Sequence, residues 1–497
     1  MNRIISALLL FFVFTTLHAQ NSSLKKPGST SAGSPANGYS IHVNIAPFKK
    51  CIIYLGSYYG KNKILVDSAM LDEKSEGHFA GKEKLSEGIY FFVSPDKVIL
   101  FEVLMDKEQQ FSVKADTAHL ENISITNSDE NTLFADYTKY LALTGPQISK
   151  QEQAYKQAKT REDSAKIQEE IKKLNDQLNA YRENLLTSHP QSMLATFFRA
   201  VKLPSAPKMP VRADGSLDSA YPFYYMKDHF WDNVALNDDR LLHTPFFDPK
   251  LDDYFKHYVS AEADSIIKEI NYMLLYARTG KDMYKYLLGK FTDKYINPEI
   301  MGQDKVFLFL FENFYSKGDT AWLNAKQKKY IFDRAYSLMA NQINEQAALL
   351  DLVDTAGNPV SLYAIPSPFI FIVFWDPQCS HCKVEVPRID SIYKAKWKAE
   401  NVKIFAVNTN ENAIDDWKNF ITEKHLDGWY HAYQRREDRL AQEQAGQPNF
   451  RQLYDIYQTP TFYLLDADKH IIAKKLSIEQ FDSIINVKIK SQASTTK

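Results

Sequence analysis

Apolar and polar residues alternate from Tyr39 onward. Ile41, Val43 and Ile45 are separated by His42 and Asn44, the period of two that buries one face of a β-strand. Short runs of the same kind recur at 51–59, 63–71, 89–94, 97–105, 109–115 and 122–126, punctuated by Asn, Asp, Gly, Ser and Lys. Some six or seven strands over roughly 90 residues predict a small antiparallel sandwich or barrel.

Near Glu130 the period lengthens to that of a helix. Asn127-Ser128-Asp129 offers capping side chains, and Leu133 to Leu143 carries the helix on. Charges dominate from Gln151 to Leu186. Ile167, Ile171, Leu174, Leu178, Tyr181 and Leu185 nevertheless recur at spacings of four and three, a helical stripe. The stripe is shorter than three heptads, so packing on a neighbouring helix of the same chain is favoured over a coiled-coil dimer. Further helices are predicted at 261–277, 281–292, 303–316 and 321–350. The aromatic segment Tyr221–Trp231 reads as core, with a docking surface as the alternative.

The last third changes again. Phe369 to Phe374 is continuously apolar, the pattern of a strand covered on both faces. A helical stretch follows from Cys379 to Lys398, then a second buried strand, Val402 to Val407, and a helix, Ala413 to His425. A polar helical insert leads to strands Thr461–Leu465 and His470–Lys474 and a last helix from Ser477. A β-α-β core followed by a hairpin and a helix predicts an α/β unit of about 150 residues.

The ends and the composition narrow the setting. Residues 1–19 read as a secretory signal: Arg3, an apolar run from Ile4 to Phe14 shorter than the ~20 residues that span a bilayer, then small residues up to Ala19. Gln20 to Gly38 has the polar, Gly/Ser/Pro-rich composition of a flexible leader. No stable membrane span is expected after signal cleavage. With 60 Lys and Arg against 61 Asp and Glu, no global basic field recruits nucleic acid. Glycine is scarce, 17 of 497 residues, which disfavours glycine-rich repeats.

Three cysteines exclude a scaffold stapled by disulfides, since one internal bridge at most can form. Cys51 falls in a predicted strand and reads as a small buried hydrophobe. Cys379 and Cys382 form Cys-Ser-His-Cys directly after a buried strand, at the start of a helix. Free N–H groups and the helix dipole stabilise anions there, so Cys379 is the expected nucleophilic thiolate. Cys382, one turn inside, is the expected resolving thiol. Structural zinc needs four ligands, and a c-type haem needs His where Lys383 stands, so no metal is expected. A purely structural disulfide is the remaining alternative.

These residues carry a resemblance. Phe374-Trp375-Asp376-Pro377-Gln378-Cys379-Ser380-His381-Cys382-Lys383-Val384-Glu385-Val386-Pro387 and Gln458-Thr459-Pro460-Thr461-Phe462 resemble the thioredoxin-fold domain of TlpA/ResA-like thiol-disulfide oxidoreductases of the bacterial envelope. The resemblance implies a redox-active Cys379–Cys382 disulfide and no other cofactor. It implies a cis Pro460 whose loop, with Thr459, holds a substrate polypeptide; Trp375 is grouped with that substrate-binding surface and is expected to pack beside the site as a hydrophobic shield. Glu385 resembles the group's acidic residue, a candidate proton carrier. His381 resembles the histidine of oxidising members, where an imidazolium favours the thiolate and raises the potential. Two departures stand out: Val373 occupies the place of thioredoxin's buried acid, and His381 that of a frequent proline. A peroxiredoxin's Pro-x-x-x-Thr-x-x-Cys is absent, since Ile372 and Asp376 fill those places.

The β-rich and helical stretches resemble, more loosely, extensions on such proteins in Bacteroidetes-type bacteria. The expected architecture is multidomain, α+β and α/β: signal 1–19, leader 20–38, a β-sandwich-like domain 39–130, a helical domain 131–346 and a thioredoxin-like domain 347–497. The expected function is a periplasmic thiol-disulfide oxidoreductase. Its partners would be protein thiols and disulfides of the envelope, with a membrane or periplasmic redox partner. The alternative is a non-catalytic binding or scaffold protein that keeps the thioredoxin-like domain for structure.

Overall fold

A computed structural model describes residues 38–495. The signal and the leader up to residue 37 lie outside the described residues. Two compact units divide the chain. One holds the described residues up to Ser260 together with Tyr272–Tyr286; the other holds Ala261–Asn271 and the described residues from Leu287 onward.

In the first unit the alternating segments form β1 (Tyr39–Ala46), β2 (Ile52–Tyr59), β3 (Asn62–Met70), β4 (Glu76–Gly81), β5 (Gly88–Val93), β6 (Ile99–Met105), β7 (Gln110–Asp116) and β8 (Ser124–Thr126). They build two four-stranded sheets, ordered β4-β1-β7-β8 and β3-β2-β5-β6. Ile41, Val43, Phe79 and Val113 from one sheet meet Ile53, Leu55, Phe92 and Val103 from the other in a single buried cluster, as a sandwich requires. The expectation of an all-antiparallel sheet is corrected at one pair, since β1 and β7 run parallel. The chain leaves β1 to build the second sheet before β7 returns beside it. Periodicity alone also missed β4, whose Gly-flanked sequence buries only Phe79 deeply.

Ser128 caps the helix Asp129–Gln157 by accepting from the Asn131 N–H. The helix Arg161–Ser188 packs on it through its apolar stripe. Tyr181 stacks on Tyr140 at 4.4 Å, and Arg182 donates to the Tyr137 hydroxyl at 2.7 Å. Of the aromatic segment, Phe230 and Trp231 are core, while Phe223 and Tyr224 are exposed.

The second unit contains the helices Asp304–Asn313 and Ala325–Met339 and a seven-stranded sheet. Its strands are β9 (Asp351–Val353), β10 (Pro359–Ser361), β11 (Phe369–Trp375), β12 (Val402–Asn408), β13 (Tyr430–Tyr433), β14 (Thr461–Leu465) and β15 (Ile471–Lys474), ordered β10-β9-β13-β12-β11-β14-β15. The central β11 explains its own unbroken apolar run. Phe369, Phe371, Val373 and Trp375 enter one core cluster, while Ile370, Ile372 and Phe374 enter a second. Both faces of the strand are thus covered, as in a thioredoxin-like fold. Within this unit Lys474 of β15 donates to Asp304 at 2.6 Å and to the Asn341 carbonyl at 2.6 Å. Arg334 pairs with Asp455, which Lys475 also reaches. The helices from 304 onward are therefore tied to the sheet by buried charges, and the unit does not begin at residue 347.

Candidate active site

The sheet delivers the cysteines to the end of its central strand. β11 stops at Trp375, the chain turns through Asp376-Pro377-Gln378, and Cys379 stands at the N-cap of the helix Ser380–Ile392. The turn is closed by the Cys379 N–H donating to the Asp376 carbonyl at 3.1 Å. Pro387 lies inside that helix.

The two thiols meet different surroundings. Cys379 is partly exposed, and its Sγ donates to the Thr459 carbonyl at 3.3 Å. Burial pushes its thiol up, but the Cys382 N–H, the Thr459 and Cys382 side chains and the His381 N–H outweigh burial and hold it below its ordinary value. Cys382 is fully buried. Burial pushes its thiol up to about 12, against the pull of the Asp376 N–H at 3.5 Å from its Sγ. The sites of anion stabilisation therefore converge on Cys379, as expected of a helix N-terminus. Both cysteines are free thiols, as is Cys51, whose thiol burial pushes up.

Other candidates divide by position. The Thr459–Pro460 peptide is cis, and both residues are half-buried beside Cys379. His381 is exposed on the first turn of the helix. Glu385 is held by Arg388, whose Nη1 donates to its two carboxylate oxygens at 2.7 and 2.9 Å. That pairing directs it along the helix surface rather than to a sulfur. Trp375 is wholly buried and packs on Phe420 at 5.2 Å. The expectation that Trp375 contacts substrate is corrected, since a side chain without exposed surface shields the site instead. Among the described residues no group of three His, Cys, Asp or Glu is arranged to hold a metal ion.

Periodicity did not reveal the wall on the other flank of the dithiol. Asp376 accepts from the Gln378 N–H at 2.8 Å and from Asn410 Nδ2 at 3.1 Å. Arg439 and Glu411 pair at 2.9 and 3.0 Å, and Arg451 donates to the Thr409 carbonyl. The only signal for this wall is the charge-rich insert between the β13 region and Thr461.

Comparison with known proteins separates the chain into two matched regions. Residues 147–338 match a domain of unknown function, DUF5106, and residues 338–486 match Redoxin. A thiol-disulfide oxidoreductase ResA from Halalkalibacterium halodurans is 34% identical over 67 residues, 14% of this chain and 38% of that protein. A ResA from Bacillus thuringiensis subsp. konkukian is 25% identical over 131 residues, 26% of this chain and 68% of that protein. The chain thus spans well under half the length of the first of these relatives. Among solved structures, a thioredoxin-like protein from Bacteroides caccae covers 57% of this chain and 99% of its own, with 17% identity and a TM-score of 0.43. A domain of a possible thiol-disulfide isomerase from Cytophaga hutchinsonii is 30% identical and covers 31% of this chain and 96% of its own, with a TM-score of 0.26. Among the described residues no helix is long and apolar enough to cross a membrane.

Proposed function

From a C-terminal region that is a TlpA/ResA-like, thioredoxin-fold oxidoreductase domain of the Redoxin family, we propose that the chain exchanges disulfides with polypeptide partners through Cys379 and Cys382. The Cys379 thiolate attacks one sulfur of a partner disulfide. A mixed disulfide forms, and the partner's other sulfur leaves as a thiolate and takes a proton from water. Cys382 then loses its proton and attacks Cys379 Sγ. The second partner thiolate leaves, and the Cys379–Cys382 disulfide remains. Two electrons pass to the partner, and the reverse sequence oxidises it.

The observation that carries this reading is the opposed setting of the two thiols. The exposed one is held below its ordinary value, and the buried one is pushed up to about 12. An attacking thiol must be ionised and accessible, and a resolving thiol must be protected until the mixed disulfide forms. Thr459 supports the same reading, because its carbonyl lies within 3.3 Å of Cys379 Sγ and can take strand-like hydrogen bonds from an extended partner. His381 stands on the first turn of the same helix as Cys379 and serves as electrostatic tuner, while Glu385, held by Arg388 along the helix surface, can act as proton carrier only through water. The apolar start of the chain, Ile4 to Phe14, supports export to the periplasm, where disulfide chemistry has partners.

Insulin reduction by the wild type and by Cys379→Ser tests the proposal. The expected result is a rate in the variant at the uncatalysed background. Equal activity in the two proteins overturns the reading. Cys382→Ser is expected to accumulate mixed disulfides with its partners in the periplasm.

A further inference from the structure

Cys382 must become a thiolate in the second half of the exchange, and its setting is the less favourable of the two. It is wholly buried, in the core cluster that holds Val373, Trp375 and Val386. Burial opposes its ionisation, and the group that pulls hardest the other way is the Asp376 N–H, 3.5 Å from its Sγ. That N–H belongs to the peptide unit between Trp375 and Asp376, which is trans. A trans peptide is planar, so its N–H and its carbonyl point in opposite directions and turn together. Fixing one end fixes the aim of the other.

The carbonyl end is held by a single residue of the loop after β12. Trp375 O accepts the Thr409 N–H at 2.8 Å and the Thr409 hydroxyl at 3.1 Å. A carbonyl oxygen has two lone pairs, so these two bonds fill it. The first continues the pairing of β11 with β12, in which Trp375 stands opposite Asn408. The second is not required by the sheet and needs a hydroxyl at this position. Thr409 is itself fixed: it is 7% exposed, and its carbonyl takes an N–H of Arg451. Two donors on the oxygen also polarise the peptide and strengthen its N–H as a donor.

We propose that Thr409 is a positioning residue for the resolving step: its hydroxyl and N–H clamp the Trp375 carbonyl, so that the Asp376 N–H of the same peptide stays on Cys382 Sγ and receives the thiolate. The proposal rests on the exchange reading above and names the residue that sets its second half. In that step Cys382 gives its proton to water and its thiolate bonds to Cys379 Sγ. The bond between Cys379 and the partner breaks, and its electron pair leaves on the partner's sulfur. Thr409 touches none of these atoms and acts through one peptide. Attack by Cys379 draws on other groups. Burial apart, its thiolate is favoured by the Cys382 N–H, the Thr459 and Cys382 side chains and the His381 N–H. The two halves of the exchange should therefore separate in a Thr409 variant.

The test mixes the reduced full chain with the aromatic disulfide dithiobis(nitrobenzoate) in stopped flow. Attack by Cys379 releases one coloured thiolate, and resolution by Cys382 releases a second. The attack phase scales with reagent concentration, as does any reaction of Cys51, whereas the resolving phase does not. The reagent is raised until attack outruns resolution. Thr409→Val removes the hydroxyl at nearly constant shape. It is expected to slow the resolving phase about three- to tenfold, up to ~1.4 kcal/mol of barrier, with the attack phase unchanged within error. Thr409→Ala removes the hydroxyl without adding bulk and should do the same, so the test does not hang on one variant folding. Thr409→Ser keeps the hydroxyl and should keep the wild-type ratio of the two rates. A resolving phase at the wild-type rate without the hydroxyl, an equal slowing of both phases, or Thr409→Ser as slow as Thr409→Val would overturn the proposal and leave the exchange reading standing. A wild type whose dithiol releases no second coloured thiolate would overturn the exchange reading and this one with it.

Discussion

Cys379 and Cys382 are the same chemical group three residues apart, and their surroundings drive them in opposite directions. The thiolate is the reactive form. Iodoacetamide should therefore modify Cys379 with a pH midpoint below that of an ordinary thiol and leave Cys382 untouched until the pH nears about 12. Mass mapping after a brief pulse at neutral pH checks this, and modification of both residues at similar rates would count against the assignment of roles. His381 extends the argument. Its N–H is one of the groups that hold the Cys379 thiol down, and its imidazole stands exposed on the same turn. Proline is tolerated in the first turn of a helix, so His381→Pro removes both the donor and the ring while keeping the fold. Both losses disfavour the thiolate and with it the reduced form. The reduction potential should fall by on the order of 30 mV, a tenfold change in the equilibrium. Equilibration with glutathione buffers measures it, and an unchanged potential removes His381 from the mechanism.

Elements were legible where burial imposed one period over a long enough run. β11 was legible because both of its faces are covered, and the stripe from Ile167 to Leu185 because it meets the preceding helix along its length. The dithiol was legible because a Cys-x-x-Cys after such a strand has few other uses. The short strands β9, β10 and β13 were not: with three or four residues each, they show no period, and only their neighbours in the sheet define them. The parallel pairing of β1 with β7 was equally hidden, because alternation marks a strand's faces and says nothing about the direction of its neighbour. Asp376 and Arg451 are 75 positions apart yet line one cavity, and no local pattern announces that they meet. A similar long-range device closes the edge of β6. Asn131, fully buried, accepts the Leu104 N–H and donates to the Leu104 carbonyl, both at 2.8 Å, as a further strand would. Its neighbours 127–129 announced a helix cap, but nothing local announced this role. Asn131→Leu leaves both backbone groups buried without partners, at about 1–3 kcal/mol each. Stability from urea unfolding should therefore fall by a total of about 2–6 kcal/mol, whereas a midpoint unchanged within error would mean that Leu104 finds water instead.

For the molecule as a whole, the question is where the redox unit begins. Composition changes near residue 347, yet the buried ion pair between Lys474 and Asp304, each side chain 5% exposed, joins β15 to a helix that starts 43 residues earlier than that boundary. Gln342 donates to the same Asp304 oxygen at 2.7 Å. Burial disfavours the charged form of Lys474 and lowers its ammonium below the ordinary value, while Asp304 opposes that shift. A buried pair of this kind adds little net stability, but breaking one side leaves an uncompensated charge worth about 3–5 kcal/mol. Lys474→Met in the full chain should therefore lower the unfolding free energy of the second unit by that amount, read by tryptophan fluorescence, since Trp375, Trp397 and Trp417 lie in its core. Adding Asp304→Asn should restore most of the loss, because the charge left without a partner is then gone. The resulting coupling energy between two residues 170 positions apart measures whether the helices before residue 347 and the redox sheet unfold as one. Additive losses, with no coupling, would mean that the sheet carrying Cys379 folds on its own and that the helices are an attachment; a coupling of about 2 kcal/mol or more means that a redox domain cut at residue 347 lacks part of its own structure.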